Sequence, residues 1–285
     1  MKIFFLGGTS YLGREIIKRL EISGDHEISA FVRSLVSAEK LKGMKVRCLF
    51  ENDLDQLPVQ DVVFNLVVDY GKNKSLFEVM EANVQFPLHV LEMINFKTII
   101  NFSTALEKNV SHYSFSKKVL EESLSHLQME NNWQVINLHL QHFFGPGAPD
   151  HNFVTFLIDK MLKNEDLALT DCQQKRDFIF TPDLLDAIEI ILEKLSSLDS
   201  ILNLELGSGI ALKLQDFVEK IKHLAGSRSS INYGAVPRRL NEPAELKANV
   251  EFIKGLGWRM STSLEDAIQE TVMDRRVKIF GSPLK

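Results

Sequence analysis

Lys2-Ile3-Phe4-Phe5-Leu6-Gly7-Gly8-Thr9-Ser10-Tyr11-Leu12-Gly13 is the stretch that decides the fold. The apolar run Ile3 to Leu6 suits a strand buried on both faces. Glycines then break it, and an amphipathic segment follows with Ile16, Ile17 and Leu20 on one side. A strand that stops at glycines and restarts as a helix is the local form of a dinucleotide-binding turn. Glycine lets backbone pass close under a pyrophosphate, and the helix N-terminus supplies N–H groups and partial positive charge. Ser10 stands where a further glycine is usual, and its hydroxyl can cap the helix or donate to phosphate. Gly7, Thr9, Ser10, Tyr11, Leu12 and Gly13 are therefore expected to line a bound cofactor.

Working outward, short apolar runs alternate with helical patterns, the signature of βαβ units. The pattern predicts strands near residues 2–6, 28–32, 46–50, 62–67, 98–102 and 134–140. It predicts helices over 12–23, 76–95 and 112–131. The expected fold class is α/β, a Rossmann-type doubly wound parallel sheet over residues 1–145, with segments near 176–206 returning to it. After Phe144-Gly145-Pro146-Gly147-Ala148-Pro149 the alternation loosens. Residues 146–285 are expected to form a smaller mixed α/β substrate-binding region.

Composition narrows the function classes. With 45% apolar and 25% charged residues over 285, the chain can bury an ordinary globular core. A formal net charge of −5 provides no broad field for a nucleic-acid backbone. Cys48 and Cys172 are far apart, and the eight histidines are scattered, so neither a disulfide framework nor a metal site is expected. No apolar run approaches the roughly 20 residues that cross a bilayer. A cytoplasmic protein with no membrane partner is the expectation.

The chemistry sits at the end of the first half. Tyr113 and Lys117 are four apart on a helical pattern, which puts phenol and ammonium on one face. A neighbouring cation is expected to lower the phenol pKa, leaving a group that can trade a proton with a carbonyl or alcohol. Thr104 ends the preceding strand, at the edge where ligands of parallel sheets collect. Ser103 competes for that place, and alternation lets only one of the two face the cleft. Arg33-Ser34 follows the second strand where an acidic ribose anchor would otherwise stand, and Glu27 is at the wrong end of that strand. The expected cofactor is therefore NADP(H), with NAD second.

Taken with Phe144-Gly145-Pro146-Gly147, Arg176-Asp177-Phe178-Ile179-Phe180 and Gly257-Trp258, these motifs resemble the extended short-chain dehydrogenase/reductase family along nearly the whole chain. Within it they are similar to the nucleotide-sugar 4-ketoreductases such as the CDP-abequose and paratose synthases. The resemblance implies Tyr113 as acid/base, Lys117 on the nicotinamide ribose and Thr104 on the sugar oxygen. It also implies Asp53, Leu54 and Val67 beside the cofactor, and Asn83 beneath the active site among the substrate-side residues. Arg176 and Arg239 would grip the substrate diphosphate, where a guanidinium fork suits phosphate. His142 stands in the family's asparagine position.

Departures from the family pattern narrow the reaction. Ala105-Leu106 replace the Asp-Glu pair that follows the threonine in the 4,6-dehydratases, so dehydration is not expected. The expected reaction is NADPH-dependent reduction of a 4-keto-6-deoxy or 3,6-dideoxy hexose on a nucleotide diphosphate, CDP or dTDP. A homodimer is implied by the resemblance. The competing expectations are a 4-epimerase that retains NAD and a non-catalytic dinucleotide sensor.

Overall fold

The computed structural model describes residues 1–24 and 26–281. Two compact units emerge: Met1–Leu140 with Lys194–Leu204, and Gln141–Glu193 with Glu205–Lys285.

In chain order the strands are β1 (Lys2–Leu6), β2 (Glu27–Phe31), β3 (Arg47–Leu49), β4 (Gln60–Asn65), β5 (Phe96–Thr104), β6 (Gln134–Leu140), β7 (His142–Phe144), β8 (Leu167–Leu169), β9 (Lys175–Phe180), β10 (Ile201–Leu206), β11 (Ala211–Lys213) and β12 (Ile231–Tyr233). A seven-stranded sheet runs β10-β6-β5-β4-β1-β2-β3, and β1 to β6 pair in parallel. The order reverses between β1 and β4, which is where open α/β sheets bind ligands. Ile3, Phe4, Phe5 and Leu6 are all 0% exposed, as a strand covered on both faces requires. Phe5 and Phe64 stack across the β1–β4 pair at 4.9 Å.

Helix Tyr11–Ser23 begins at Ser10, whose hydroxyl accepts the Gly13 N–H at 3.1 Å. Helix His112–Asn131 begins at a capping box in which Ser111 and Ser114 exchange backbone and side-chain bonds. Its Leu120 and Leu124 enter the core with Val63, Ile99 and Val135 of the sheet. The helix expected over 76–95 is instead interrupted. Residues Leu76–Met80 and Phe86–Glu92 are α-helical, and Glu81–Gln85 form a π-turn between them. Pro87 has no N–H for the Asn83 carbonyl one turn back, which disfavours the α pattern there.

The second unit is built on β11-β9-β7 and the parallel pair β12-β8. The strand expected near 176–180 lies in this small sheet as β9, whereas β10 edges the large one. Phe178 and Phe217 stack at 3.7 Å in the core of this unit, next to Phe144. Asp177, 0% exposed, accepts the N–H groups of Ser208, Gly209 and Ala248 and so ties the loops around β9. Among the described residues no helix is long and apolar enough to cross a membrane. No cluster of three metal-ligating side chains is found among them either.

Candidate active site

In the first unit, Thr104 closes β5 and Tyr113 and Lys117 share one face of helix His112–Asn131. The Thr104 hydroxyl accepts the Leu106 N–H at 3.2 Å and lies beside the Tyr113 phenol, whose pKa it lowers. Lys117 is 2% exposed, and its Nζ donates to the Val67 carbonyl at 2.9 Å. Burial lowers the Lys117 pKa to about 8, and the charge of Glu121 opposes that. Tyr113 corrects the sequence reading. Its phenol is pushed well above the ordinary value by burial first and by Tyr70 second, and Thr104 offsets only part of this. Desolvation penalises the phenolate, and Lys117, turned to Val67, does not counter it.

Tyr70 was not anticipated. Its ring lies 5.1 Å from that of Tyr113 at 47°, and the residue is otherwise exposed. Asn83 holds the loop that carries it. The Asn83 Oδ1 accepts the Asp69 N–H at 2.6 Å, while Nδ2 donates to the Asp69 carbonyl at 2.8 Å and to Ser116 Oγ at 2.9 Å. Ser116 in turn donates to the Tyr113 carbonyl at 2.8 Å. Both amide hydrogens are thus committed inside the protein, and Asn83, 0% exposed, is not a substrate contact as expected. It positions the Tyr70 loop against the Tyr113 helix. Asn83→Ala should lower stability by about 1–3 kcal/mol, since the Asp69 backbone loses both partners. Thermal unfolding with and without bound NADPH measures it.

Ser103 is a second correction. Its hydroxyl is bound to Glu121, on the opposite side of β5 from the Thr104 side chain, as strand alternation demands. Glu121 also meets Lys118 at 3.0 Å and His139 at 3.1 Å. Burial raises its pKa, but the bonds from His139 and Ser103 and the Lys118 charge together hold it below the usual value.

The Gly7–Gly13 turn fits a dinucleotide. Gly7 has φ 81°, and a Cβ there would lie 2.8 Å from the Leu66 carbonyl carbon, so the turn rests directly on the backbone after β4. A Cβ at Gly13 would lie 2.7 Å from the Gly7 oxygen. Thr9 turns its carbonyl to Arg14 at 2.8 Å, and Tyr11 and Leu12 are buried in the first helical turn. Arg33 and Ser34 are exposed just past β2, and Ser34 caps the short helix Leu35–Ala38. Asp53 accepts its own turn's Phe50 N–H at 2.8 Å. Leu54, expected beside the adenine, is 1% exposed and its side chain belongs to the core.

In the second unit a cavity of about 480 Å³ is lined by apolar Phe153, Leu169 and Val236 on one hand and Arg176, Arg239 and Glu242 on the other. Arg176 is 4% exposed and its Nη2 meets Glu242 Oε1 at 2.6 Å. Gln174 donates to the same oxygen at 3.2 Å. Arg239 is exposed. His142 also lines the cavity, its ring 5.4 Å from Phe178. Desolvation against the cavity wall first, and the Arg176 charge second, lower its pKa, so the imidazole is neutral at pH 7. Glu242 escaped the sequence reading. Its signal was a carboxylate three residues past Arg239, in a stretch otherwise read for cations.

Residues 3–204 match the model of the NAD dependent epimerase/dehydratase family. The CDP-abequose synthase of Salmonella muenchen is 28% identical over 285 aligned residues, covering 94% of this chain and 96% of that protein. Two solved structures share the fold. UDP-glucose 4-epimerase from Thermotoga maritima gives a TM-score of 0.83 at 20% identity, with 98% of this chain and 100% of that one covered. UDP-glucuronic acid 4-epimerase from Bacillus cereus, in complex with NAD, gives 0.83 at 19%, with 99% of each covered. Turn, sheet order and tyrosine–lysine helix agree with the family match, and the chain belongs to the NAD dependent epimerase/dehydratase family.

Proposed function

We propose that the protein is an NADPH-dependent reductase of a nucleotide-diphosphate-linked 4-keto-6-deoxy or 3,6-dideoxy hexose. The observation that carries this is the Tyr113 phenol set beside Thr104, with Lys117 one turn farther along the same face of the helix. A phenol that keeps its proton at neutral pH is an acid waiting for a developing alkoxide, which suits net reduction. The likeness to CDP-abequose synthase supports a nucleotide-sugar substrate, and CDP is the nucleotide favoured. Ala105-Leu106 stand after Thr104 where the dehydratases carry the Asp-Glu pair, which argues against elimination.

NADPH, when bound, supplies the hydride to the sugar C4. The Gly7–Gly13 turn would hold its pyrophosphate, and Arg33 with Ser34 its 2′-phosphate. Tyr113 delivers its proton to the oxygen at C4, and Thr104 hydrogen-bonds the same oxygen. Lys117 keeps one N–H on Val67 and has two more for the ribose and the phenol side. Arg176 and Arg239 take the substrate diphosphate, and neutral His142 adds a hydrogen-bonding group without adding charge.

Incubation with NADPH and CDP-, dTDP-, GDP- and UDP-linked 4-keto sugars, with NMR of the products, tests the proposal. A 4-hydroxy sugar formed with loss of NADPH absorbance is expected, and no oxidation with any of the four would sink it. Turnover should also report Lys117. Its ammonium persists below about pH 8 and is lost above, while Tyr113 stays protonated throughout. Saturated turnover should be level from pH 6 to 7 and fall as pH rises through about 8. Lys117→Met should be slow everywhere and lack that limb.

A further inference from the structure

A parallel sheet covered on both faces is expected to be apolar throughout, and one rung of this sheet is not. Asn65 on β4, Asn101 on β5 and Asn137 on β6 are direct register partners, 0%, 0% and 1% exposed. Their side chains form a chain of bonds in one direction. Asn65 Nδ2 donates to Asn101 Oδ1, Asn101 Nδ2 to Asn137 Oδ1, and Asn137 Nδ2 to Asn203 Oδ1 on β10, each at 2.9 Å. At the inner end Asn65 Oδ1 accepts the Val67 N–H at 3.3 Å, and at the outer end Asn203 is exposed.

The rung has a definite place. Two residues toward the strand N-termini lie Val63, Ile99 and Val135, in the apolar core with Leu120 and Leu124. Two residues toward the C-termini lie Val67, Ser103 and His139, which meet Lys117 and Glu121 of the same helix. Asparagines therefore separate the dry core from the polar layer in which Lys117 is anchored. Their inner end terminates on the residue to which Lys117 is anchored. The Gly7 turn rests on the same spot, since a Gly7 Cβ would lie 3.0 Å from the Val67 nitrogen.

We propose that Asn65, Asn101, Asn137 and Asn203 are positioning residues: a hydrogen-bonded strut across the sheet that holds the Val67 backbone, and through it both the glycine turn and the Lys117 ammonium. Hydrogen bonds running in one direction polarise one another, and a fully satisfied buried network specifies one geometry. Fixing the Val67 carbonyl directs the other two N–H groups of Lys117. The functional consequence rests on the reading of the turn and Lys117 as cofactor-binding.

The test is Asn101→Leu, which cuts two bonds of the strut at a residue touching neither Lys117 nor the turn. Three quantities are read: hydrogen exchange at the Val67 amide in ligand-free protein, the NADPH dissociation constant by fluorescence, and turnover with saturating NADPH and keto sugar. Exchange at least 10-fold faster, NADPH binding about 10-fold weaker and reduced turnover are expected. Unchanged exchange and unchanged NADPH binding overturn the strut even if the melting temperature drops, because a plain register clamp would affect stability alone. Should Asn101→Leu not fold, Asn137→Leu, one strand farther out, is expected to show the same changes at smaller size, and wild-type values there overturn the strut. If the wild-type protein binds no NADPH, the functional reading fails, and Val67 exchange in the variants still decides the strut.

Discussion

Tyr113→Phe should abolish ketone reduction while leaving NADPH binding intact. The substitution removes one oxygen from a side chain whose ring packs against Tyr70 at 5.1 Å, so shape and packing survive. What is lost is the phenolic proton donor beside Thr104. General acid catalysis by a positioned side chain contributes on the order of 10²–10⁴-fold. Turnover with saturating keto sugar should therefore fall by about 10³-fold, with the NADPH dissociation constant within about twofold of wild type. Stopped-flow absorbance and a fluorescence titration measure the two. Wild-type turnover would remove Tyr113 from the chemistry and the proposed reaction with it.

Arg176→Lys should produce the other large effect, on binding in place of chemistry. The guanidinium is 4% exposed, and it presents a planar fork where an ammonium presents a point charge. Charge-assisted bonds of this kind contribute about 1.5–3 kcal/mol each, so CDP binding should weaken by roughly 10–100-fold. Lysine keeps a positive charge for Glu242, now 2.6 Å from Arg176, so the fold should persist where Arg176→Met would leave that carboxylate unpaired. Calorimetric titration with CDP, beside a kcat at saturating substrate that changes little, separates this from a catalytic role. Equal CDP affinity in the variant would exclude Arg176 from the nucleotide site.

Much of the first unit was legible because its determinants are local. The break of Ile3–Leu6 at Gly7 and the spacing of Tyr113 and Lys117 each depend on residues a few positions apart, and each element formed where the pattern placed it. Strand alternation also held, since it required one of Ser103 and Thr104 to face away, and the loser is bound to Glu121. The π-turn at Glu81–Gln85 was missed although its cause, Pro87, was in view. Periodicity registers the apolar stripe and not the missing N–H. Asn83 was misassigned for a different reason. Its partners Asp69 and Ser116 lie 14 and 33 positions away, so nothing local reported that its amide was already committed.

By itself, then, the sequence determined the parallel sheet, the phosphate-type turn and the residue types at the site, because hydrophobic period and glycine placement act over a few neighbouring residues. Only the tertiary structure decided the protonation of those residues and their company. Burial raises Tyr113 and lowers Lys117, and contacts between segments far apart in the chain pair Arg176 with Glu242 and align four asparagines across the strands. Desolvation and long-range pairing depend on what the folded chain brings to a point, and no spacing along the chain encodes that sum.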